Sequence, residues 1–277
     1  MKIPIYQVDA FTSDVFSGNP AAVCLLDSWL GDKYLQSIAA ENNLSETAFL
    51  VRNADGFDIR WFTPITEIAL CGHATLASAF VLSTFRQWTT NRIDFATRKS
   101  GRLVVTRQDH LFEMDFPARP AIAQGSPAGL NEALRITPEK VYVFEPAGDR
   151  PVVMAVLADE KAVKAVQPDF SALAQVDCRG AIITAKGDSS DFVSRYFAPR
   201  VGVPEDPVTG SAHCVLIPYW AQVLGKNVLH AFQVSKRGGE LFCANAGERV
   251  KIAGKAVLYL EGIITISNAE PSDAPRQ

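Results

Sequence analysis

The amino-acid sequence predicts an α+β protein with two pseudo-symmetric domains, each a curved, mostly antiparallel sheet around a central helix. This prediction rests on a repeated sequence motif. Residues 60–64 read Arg-Trp-Phe-Thr-Pro, and residues 195–199, which lie 135 positions further along the chain, read Arg-Tyr-Phe-Ala-Pro. Each copy is followed by a turn of small residues that begins an apolar helix, at residues 71–74 and again at 209–212. A period as long as a domain indicates duplication rather than a solenoid of short repeats.

Strand-like patterns begin the first half. Residues 3–10 alternate as a strand, residues 16–20 have the composition of a turn, and residues 21–26 form an apolar run typical of a buried strand. Asp32 follows as the predicted N-cap of a helix that extends to Glu41 and has its apolar side chains on one face.

A hairpin and a buried helix come next. The turn Asn-Ala-Asp-Gly at residues 53–56 joins predicted strands at 47–51 and 57–62. Residues 75–82 are apolar on nearly every side, so their helix should be buried. Strand-like runs between residues 91 and 116 complete this half.

The second half repeats this order. Its predicted elements are strands near 141–144 and 151–157, a short helix near 169–175, a hairpin near 181–197, a buried helix from Gly210, and strands near 231–235, 249–252 and 257–267. The offset of 135 pairs Glu46 of the first half with Ala181 of the second. An acid that is present in one copy alone suggests a site between two halves, with the chemistry assigned to one side.

Residues 118–129 are the predicted linker because they are rich in proline, alanine and glycine. The expected domains are therefore residues 1–117 and residues 130–261. A strand near 262–269 could return to complete the first domain.

Composition argues against several classes of protein. The chain has 277 residues and a net charge of −3, and it contains no Lys/Arg run that would suggest a nucleic-acid partner. No apolar stretch approaches the roughly 20 residues that cross a bilayer, and the N-terminus lacks a signal-peptide core, so we expect no membrane partner and a cytoplasmic location. Five widely spaced cysteines without a C-x-x-C pair disfavour a disulfide framework, and four histidines without metal-binding spacing do not support a metal site.

Both predicted buried helices begin at a glycine, Gly72 in one and Gly210 in the other. A helix N-terminus offers free backbone N–H groups and the positive end of the helix dipole. Two such ends that face each other would bind a carboxylate or stabilise an enolate-like charge. The alternative is that both glycines simply begin tightly packed helices.

Several side chains are candidates for proton chemistry. Glu46 lies at the mouth of an otherwise apolar strand, where a partly desolvated carboxylate could shuttle a proton, unless it is only an exposed acid at a strand start. His73 could exchange a hydrogen bond with substrate or be a packed neighbour, and Asp206 could act in the site or only cap its turn. Cys71 and His73 could form a nucleophilic pair, but residues two apart that flank a glycine need not point together.

Six sequence blocks together resemble the PhzF-like family, which is named after an isomerase of phenazine biosynthesis. The blocks follow the family order over nearly the whole chain: residues 9–12, 18–23, 43–49, 60–64, 70–75 and 205–213. The resemblance implies the diaminopimelate-epimerase-like fold, with the site in the cleft between two similar domains. It also implies a cofactor-independent isomerase with a small-molecule substrate, and usually a homodimer.

The resemblance also implies roles for individual residues. Glu46 matches the family's catalytic acid/base, and His73 and Asp206 match its supporting polar residues. The implied substrate-binding positions are the residue before the acid and the small residues around the two helix starts: Ser45, Gly72, Ala74, Gly210, Ser211 and Ala212.

The fold's epimerase relatives use two cysteines, one in each half, as paired acid and base. Here Cys71 occupies the first position, but Thr209 aligns with the second, and a threonine hydroxyl is too weak an acid for that role. We therefore expect Glu46 alone to shift a proton within a small carboxylate-bearing metabolite. The alternatives are an epimerase or racemase that uses Glu46 with Cys71, and a non-catalytic binding protein on the same scaffold. Lys236 or Arg237 could meet the substrate carboxylate or form a solvated basic turn.

Overall fold

The computed structural model describes residues 1–85, 88–146 and 148–266, and within them the chain forms two compact units. The first unit consists of Met1–Phe16, Pro20–Met114 and the described residues from Lys255 onward, and the second of Ser17–Asn19 and Asp115–Gly254. Of the strand predicted near 262–269, residues 267–269 lie outside the described part of the chain.

The described residues up to 117 form eight strands and two helices. They are β1 Lys2–Ala10, β2 Asn19–Leu26, α1 Asp32–Asn42, β3 Glu46–Arg52, β4 Phe57–Phe62, β5 Glu67–Ile68, α2 Gly72–Phe85, β6 Arg92–Thr97, β7 Arg102–Gln108 and β8 Leu111–Pro117. Asp32 is the first helical residue of α1 and not its cap, because Gly31 takes the cap position without a side-chain hydrogen bond. The Asp32 carboxylate instead accepts a hydrogen bond from Arg60 Nη1 at 2.8 Å.

The rest of the chain repeats this sequence of elements. It forms β9 Ile122–Ala123, α3 Leu130–Leu134, β10 Lys140–Phe144, β11 Val152–Val156, α4 Glu160–Ala165, α5 Phe170–Leu173, β12 Gly180–Lys186, β13 Phe192–Ala198, a 3-10 turn Pro199–Val201, β14 Val203–Asp206, α6 Gly210–Leu224, β15 Val228–Gln233, β16 Gly239–Asn245 and β17 Arg249–Gly254. The last strand, β18 Ala256–Thr265, returns to the first unit and pairs antiparallel with β1.

The strands of the first unit surround helix α2. β2 and β3 are parallel, β3 and β4 form the predicted hairpin, β4 also pairs antiparallel with β5 and parallel with β6, and β6, β7 and β8 form an antiparallel meander. Helix α2 contacts β1, β3, β7 and β18, and most of its residues are buried. The prediction that the apolar helix lies inside the fold is therefore confirmed.

The second unit has the same plan around helix α6. β11 and β12 are parallel, β12 and β13 form a hairpin, and β13 pairs antiparallel with β14 and parallel with β15. β15, β16 and β17 are antiparallel neighbours, and α6 contacts all three. Each unit is thus a mixed, mostly antiparallel sheet around one central helix, so the predicted α+β class is confirmed.

The pairing of Glu46 with Ala181 was wrong by one residue. Glu46 begins β3 opposite Ala21 of its parallel neighbour, and the corresponding pair in the second unit is Gly180 opposite Val152. The loop of the first hairpin has four residues, 53–56, whereas that of the second has five, 187–191. The offset is therefore 134 before the loop and 135 after it, and a fixed offset cannot represent this difference.

The arginine that opens each repeated motif has one structural role in both units. Arg60 donates from Nε and Nη2 to the two carboxylate oxygens of Glu67, both at 2.8 Å, and Arg195 donates in the same way to Glu205 at 2.7 and 3.0 Å. Each guanidinium also lies over the phenylalanine two positions further along, 5.0 and 4.9 Å from the ring centroid. The conspicuous repeat therefore anchors the strand β4 or β13 to its neighbours through a bidentate ion pair.

Candidate functional site

Three chemically active side chains converge in the first unit. Glu46 begins β3, while Cys71 and His73 flank Gly72 at the start of α2. His73 Nε2 lies 3.0 Å from Glu46 Oε2, and Cys71 Sγ lies 3.6 Å from His73 Nδ1. The structure therefore brings two of the predicted residues together and adds Cys71, whose side chain does point toward His73.

Local packing holds this cluster in place. Helix α2 packs against β3, and the residue after the acid, Thr47, is buried and accepts a hydrogen bond from Asn42 Nδ2 at 3.1 Å. Thr75 Oγ1 donates to the Cys71 carbonyl at 2.6 Å, which ties the helix start to its first turn. Both the strand start and the helix start are thereby fixed by bonds that do not involve the reactive groups.

Burial and mutual proximity set the charges of the cluster. Burial, reinforced by the Glu46 carboxylate, raises the pKa of the Cys71 thiol above its ordinary value, so Cys71 is protonated near neutral pH. Burial lowers the pKa of His73, but its contacts with Cys71 and Glu46 outweigh this effect and raise that pKa well above 6.5. Because Cys71 is itself protonated, we attribute the raised pKa of His73 to Glu46. The cluster is thus an imidazolium–carboxylate pair beside a thiol.

One oxygen of Glu46 retains capacity for a ligand. Oε2 lies within ion-pair distance of His73, yet it is buried and accepts no hydrogen bond of good geometry from any described residue. The Glu46 side chain as a whole keeps 16% of its surface exposed, which leaves a path to it. A buried acceptor without a donor is costly, so the arrangement favours a bound group that supplies one.

The start of α2 adds backbone donors beside the cluster. Gly72, His73 and Ala74 are the first residues of the helix, where N–H groups have no intrahelical acceptor. Ser45 is half-buried immediately before Glu46. An anion near Glu46 would therefore meet the positive end of the helix dipole as well as His73.

Asp206 holds a hydrogen-bond network in the second unit. Its Oδ1 accepts from Asn19 Nδ2 at 2.8 Å, and its Oδ2 accepts from Thr209 Oγ1 at 2.6 Å. Gln233 donates to the Asp206 carbonyl at 2.7 Å and accepts from the Thr209 backbone N–H at 2.8 Å. Asn19 and Gln233 are fully buried, and sequence reasoning did not nominate Asn19. The available signals were a polar residue at the start of an apolar strand and its place in the block 18–23 that resembles the family.

The network orients the N-terminus of α6. Thr209 is the N-cap residue, and Gly210, Ser211 and Ala212 follow with N–H groups that the helix itself does not use. Ser211 is exposed, whereas Gly210 and Ala212 are buried. The second unit therefore has free backbone N–H groups at a helix start, as the first unit does. Asp206 holds this helix start in place through its hydrogen bond with the N-cap residue Thr209.

Arg237 bonds to the backbone of a distant segment, and its role at a substrate carboxylate stays a prediction. Its guanidinium donates to the carbonyls of Ser17 and Gly18, both at 2.8 Å, and so ties this short segment to the second unit. The neighbouring Lys236 is exposed. A role for either residue at a substrate carboxylate has no support in these contacts.

The two units differ in where they carry an acid. A Cβ on Gly180, the equivalent of Glu46, would lie 2.4 Å from the hydroxyl oxygen of Tyr196 and 2.6 Å from its ring carbon Cζ. The phenol therefore fills the space in which a side chain would stand. Conversely, Asp206 pairs with Tyr196 as Ile68 pairs with the corresponding Trp61. At each of these two positions, one unit thus has a carboxylate and the other an uncharged residue.

Donor atoms that could hold a metal are also present in the first unit. Among residues 1–85, 88–146 and 148–266, Glu46, Cys71 and His73 form the one cluster whose ligand atoms all lie within 4.8 Å of one another. No helix within these residues is long and apolar enough to cross a membrane.

The sheets and their central helices define an α+β protein with an epimerase-like fold. The chain belongs to the family of phenazine biosynthesis-like proteins, PhzC-PhzF, which it matches over residues 8–262. It is 53% identical over 267 residues to an uncharacterized isomerase of Pseudomonas aeruginosa, covering 96% of this chain and all of that protein.

Solved structures support the assignment of the chain to this family. A PhzF-family phenazine biosynthesis protein of Enterococcus faecalis has a TM-score of 0.91 and 45% identity, covering 96% of this chain and all of that one. A predicted epimerase of Pseudomonas aeruginosa has a TM-score of 0.71 over 96% of this chain and all of that one. At 19% identity the second likeness concerns the fold alone.

Proposed function

We propose that this protein is an isomerase that shifts a proton within a small carboxylate-bearing metabolite, with Glu46 as the proton shuttle. The observation that carries the proposal is the unshared, buried oxygen of Glu46 beside His73 and the N-terminus of α2. The names of the relatives support the same class of reaction, since proteins 53% and 50% identical to this chain are called isomerases.

A single carboxylate is sufficient for such a proton shift. Glu46 would take a proton from one carbon, so that a C–H bond breaks, an O–H bond forms and the electron pair enters the adjacent π system. The resulting carboxylic acid would return the proton to another carbon on the same face. The backbone N–H groups at the start of α2 would stabilise the negative charge that develops on the substrate in between.

His73 and Asp206 would support this step in different ways. His73 contacts Glu46 directly and would hold its carboxylate in position. Asp206 would act as a positioning residue, because its carboxylate fixes Thr209 and with it the start of α6. The N–H groups of Gly210, Ser211 and Ala212 at this helix start would be able to bind an anion.

Replacement of Glu46 by glutamine tests the proposal. The purified protein is incubated in D2O with a panel of small β,γ-unsaturated carboxylic acids, and deuterium incorporation is measured by mass spectrometry. Glu46→Gln removes the basic oxygen but keeps the shape, so incorporation should fall about 10²–10⁴-fold. Glu261→Gln, at an exposed position of β18, is the matched control and should exchange like the parent protein. Full incorporation by Glu46→Gln would contradict the proposal.

The contact between Cys71 and His73 favours one second candidate. An epimerase or racemase could use Glu46 on one face of a stereocentre and the Cys71 thiol on the other, since the thiol is protonated and lies 3.6 Å from His73 Nδ1. Deuterium would then enter at the stereocentre with inversion and would be lost in Cys71→Ser. A non-catalytic binding protein would instead retain a carboxylate ligand without any exchange.

A further inference from the structure

The Glu46–Cys71–His73 cluster has the ligand chemistry of a transition-metal site. It combines a carboxylate, a thiol and an imidazole, all of which zinc binds in proteins. Metal–ligand bonds of about 2.0–2.3 Å at tetrahedral angles place neighbouring donor atoms about 3.3–3.6 Å apart. Here His73 Nε2 lies 3.0 Å from Glu46 Oε2 and 3.9 Å from Cys71 Sγ, and all the donor atoms lie within 4.8 Å of one another. Small side-chain rotations would therefore bring the three to one metal ion.

A second observation points in the same direction. The buried oxygen Oε2 of Glu46 accepts no hydrogen bond from the described residues, and its contact with His73 Nε2 at 3.0 Å is the interaction that a bound metal would replace. Cys71 and His73 are 6% exposed each, which would shield a bound ion from exchange with bulk solvent. The site differs in this respect from a group of surface acids, which remain solvated.

We propose that Glu46, Cys71 and His73 form a binding site for one thiophilic divalent cation of the zinc type, which excludes substrate while it is bound. Binding replaces the thiol proton of Cys71 by a bond from Sγ to the metal and the proton on the ligating nitrogen of His73 by a nitrogen–metal bond, and both protons leave to solvent. With three protein ligands, a fourth position remains for water. The metal occupies the Glu46 oxygen that the proposed proton shift requires, so the metal-bound form would be inactive. Metal binding itself is independent of the proposed function, whereas the inhibition rests on it.

Cobalt(II) gives a direct test that does not depend on activity. The reduced, metal-free full-length protein is titrated with Co²⁺, whose absorption reports both the coordination number and the presence of a thiolate ligand. We expect one Co²⁺ per chain, the visible bands of a four-coordinate ion and a near-ultraviolet thiolate charge-transfer band. Added Zn²⁺ should displace the cobalt and remove these bands.

Substitutions of single residues test which side chains bind the metal ion. Cys71→Ser should remove the charge-transfer band and weaken Co²⁺ binding more than about 100-fold, since loss even of an outer-shell partner costs about 10–100-fold. Glu46→Gln should keep the band but bind at least about 10-fold more weakly. Cys24→Ala is the matched control, because Cys24 is also a buried thiol of the first unit but packs in an apolar cluster, and it should bind as the parent does. Circular dichroism confirms that each variant is folded.

Two outcomes would overturn the metal site: no charge-transfer band at one equivalent of Co²⁺, or an unchanged band and affinity in Cys71→Ser. The proposed function is tested separately by deuterium exchange of the metal-free protein. Cobalt binding without any exchange would support the metal site and refute the isomerase, while exchange without cobalt binding would do the reverse. Exchange that persists with one equivalent of Zn²⁺ bound would refute the exclusion of substrate.

Discussion

At the scale of single residues, the first position of strand β3 and the equivalent position of β12 carry residues of opposite kind, an acid and a glycine. In the first unit this position carries Glu46, whose carboxylate has room to contact His73, and in the second it carries Gly180, whose missing side chain is replaced by the Tyr196 phenol. The presence of an acid in one unit and a glycine in the other therefore has a steric cause. An acid at Gly180 would have to displace a buried aromatic ring before it could act.

Gly180→Ala should consequently destabilise the protein. Its Cβ would meet the Tyr196 ring well inside van der Waals distance, and overpacking of this kind costs about 1–3 kcal/mol. Gly125→Ala is the control, because a Cβ there meets nothing within 4 Å, and its free energy of unfolding should change little. Chemical denaturation measures both. Equal stability of the two variants would contradict the steric argument, as would an undiminished cost of Gly180→Ala in a Tyr196→Ala background.

His213 should make the second unit sensitive to mild acid. Burial lowers its pKa from 6.5 to about 4, and the ring is held by the Thr209 carbonyl at 2.8 Å. The folded state therefore binds the proton less readily than the unfolded state. Stability from this group is complete above about pH 6.5 and is lost as the pH falls towards 4, by about 3 kcal/mol in all.

Denaturation at pH 7 and pH 5 checks this dependence. The parent protein should be less stable at pH 5, and His213→Asn should show a smaller difference between the two pH values, whatever its stability at pH 7. His110→Asn, at an exposed position, should keep the parent's difference. If His213→Asn and the parent respond equally to pH, the buried neutral histidine is not the cause.

Sequence reasoning reached the residues of the site with uneven success. Glu46, His73 and Asp206 were nominated from their positions at a strand start and near the helix starts and from the family that their sequence blocks resemble, and their roles remain predictions. The contact between the side chains of Cys71 and His73 could not be predicted from their spacing. Two side chains at a helix start can point apart or together, depending on their rotamers. Asn19 lies 187 positions from Asp206 in sequence, and no local pattern indicates such a contact.

At the scale of elements, periodicity predicted most strands and both central helices, because apolar residues recur with the period of each structure. It failed where a loop changed length, and the equivalent of Glu46 was displaced by one residue. The repeated arginine motif was the clearest sequence signal, yet it proves to be structural. Arg195 illustrates why: besides Glu205 it binds the carbonyls of Val163 and Val166 at 3.2 and 2.8 Å, which joins the end of α4 to β13.

Arg195→Gln should therefore be strongly destabilising. It leaves the half-buried Glu205 without its bidentate partner and frees two carbonyls, and the loss of one partner from a buried ion pair costs about 3–5 kcal/mol. Arg249→Gln breaks the exposed pair with Asp115 in the same unit and should cost at most about 1 kcal/mol. Urea denaturation distinguishes the two. A loss in Arg195→Gln as small as that in Arg249→Gln would show that the motif does not anchor its strand.

At the scale of the whole molecule, duplication explains the shared plan of the two units, and small departures from it explain why they carry acids at different positions. Each unit keeps the arginine anchor, the hairpin and the apolar helix that begins at glycine. The acids differ: Glu46 has no counterpart at Gly180, and Asp206 none at Ile68. Fold class could be predicted because it depends on patterns that both copies share. The positions of the acids in the two units depend on loop length and packing, which a sequence repeat does not reveal.

The burial of the five cysteines predicts how fast the thiols of the folded molecule react. All five are free and buried, with exposed fractions of 6% or less, and burial raises the pKa of each thiol: Cys24, Cys71, Cys178, Cys214 and Cys243. Because the thiolate is the reactive form, the native protein should react with an aromatic disulfide reagent at least about 10-fold more slowly than a free thiol. In denaturant, without reductant, five thiols per chain should react at once. Fewer than five would indicate a disulfide, and rapid reaction of several in the native state would show that these side chains are not buried in solution.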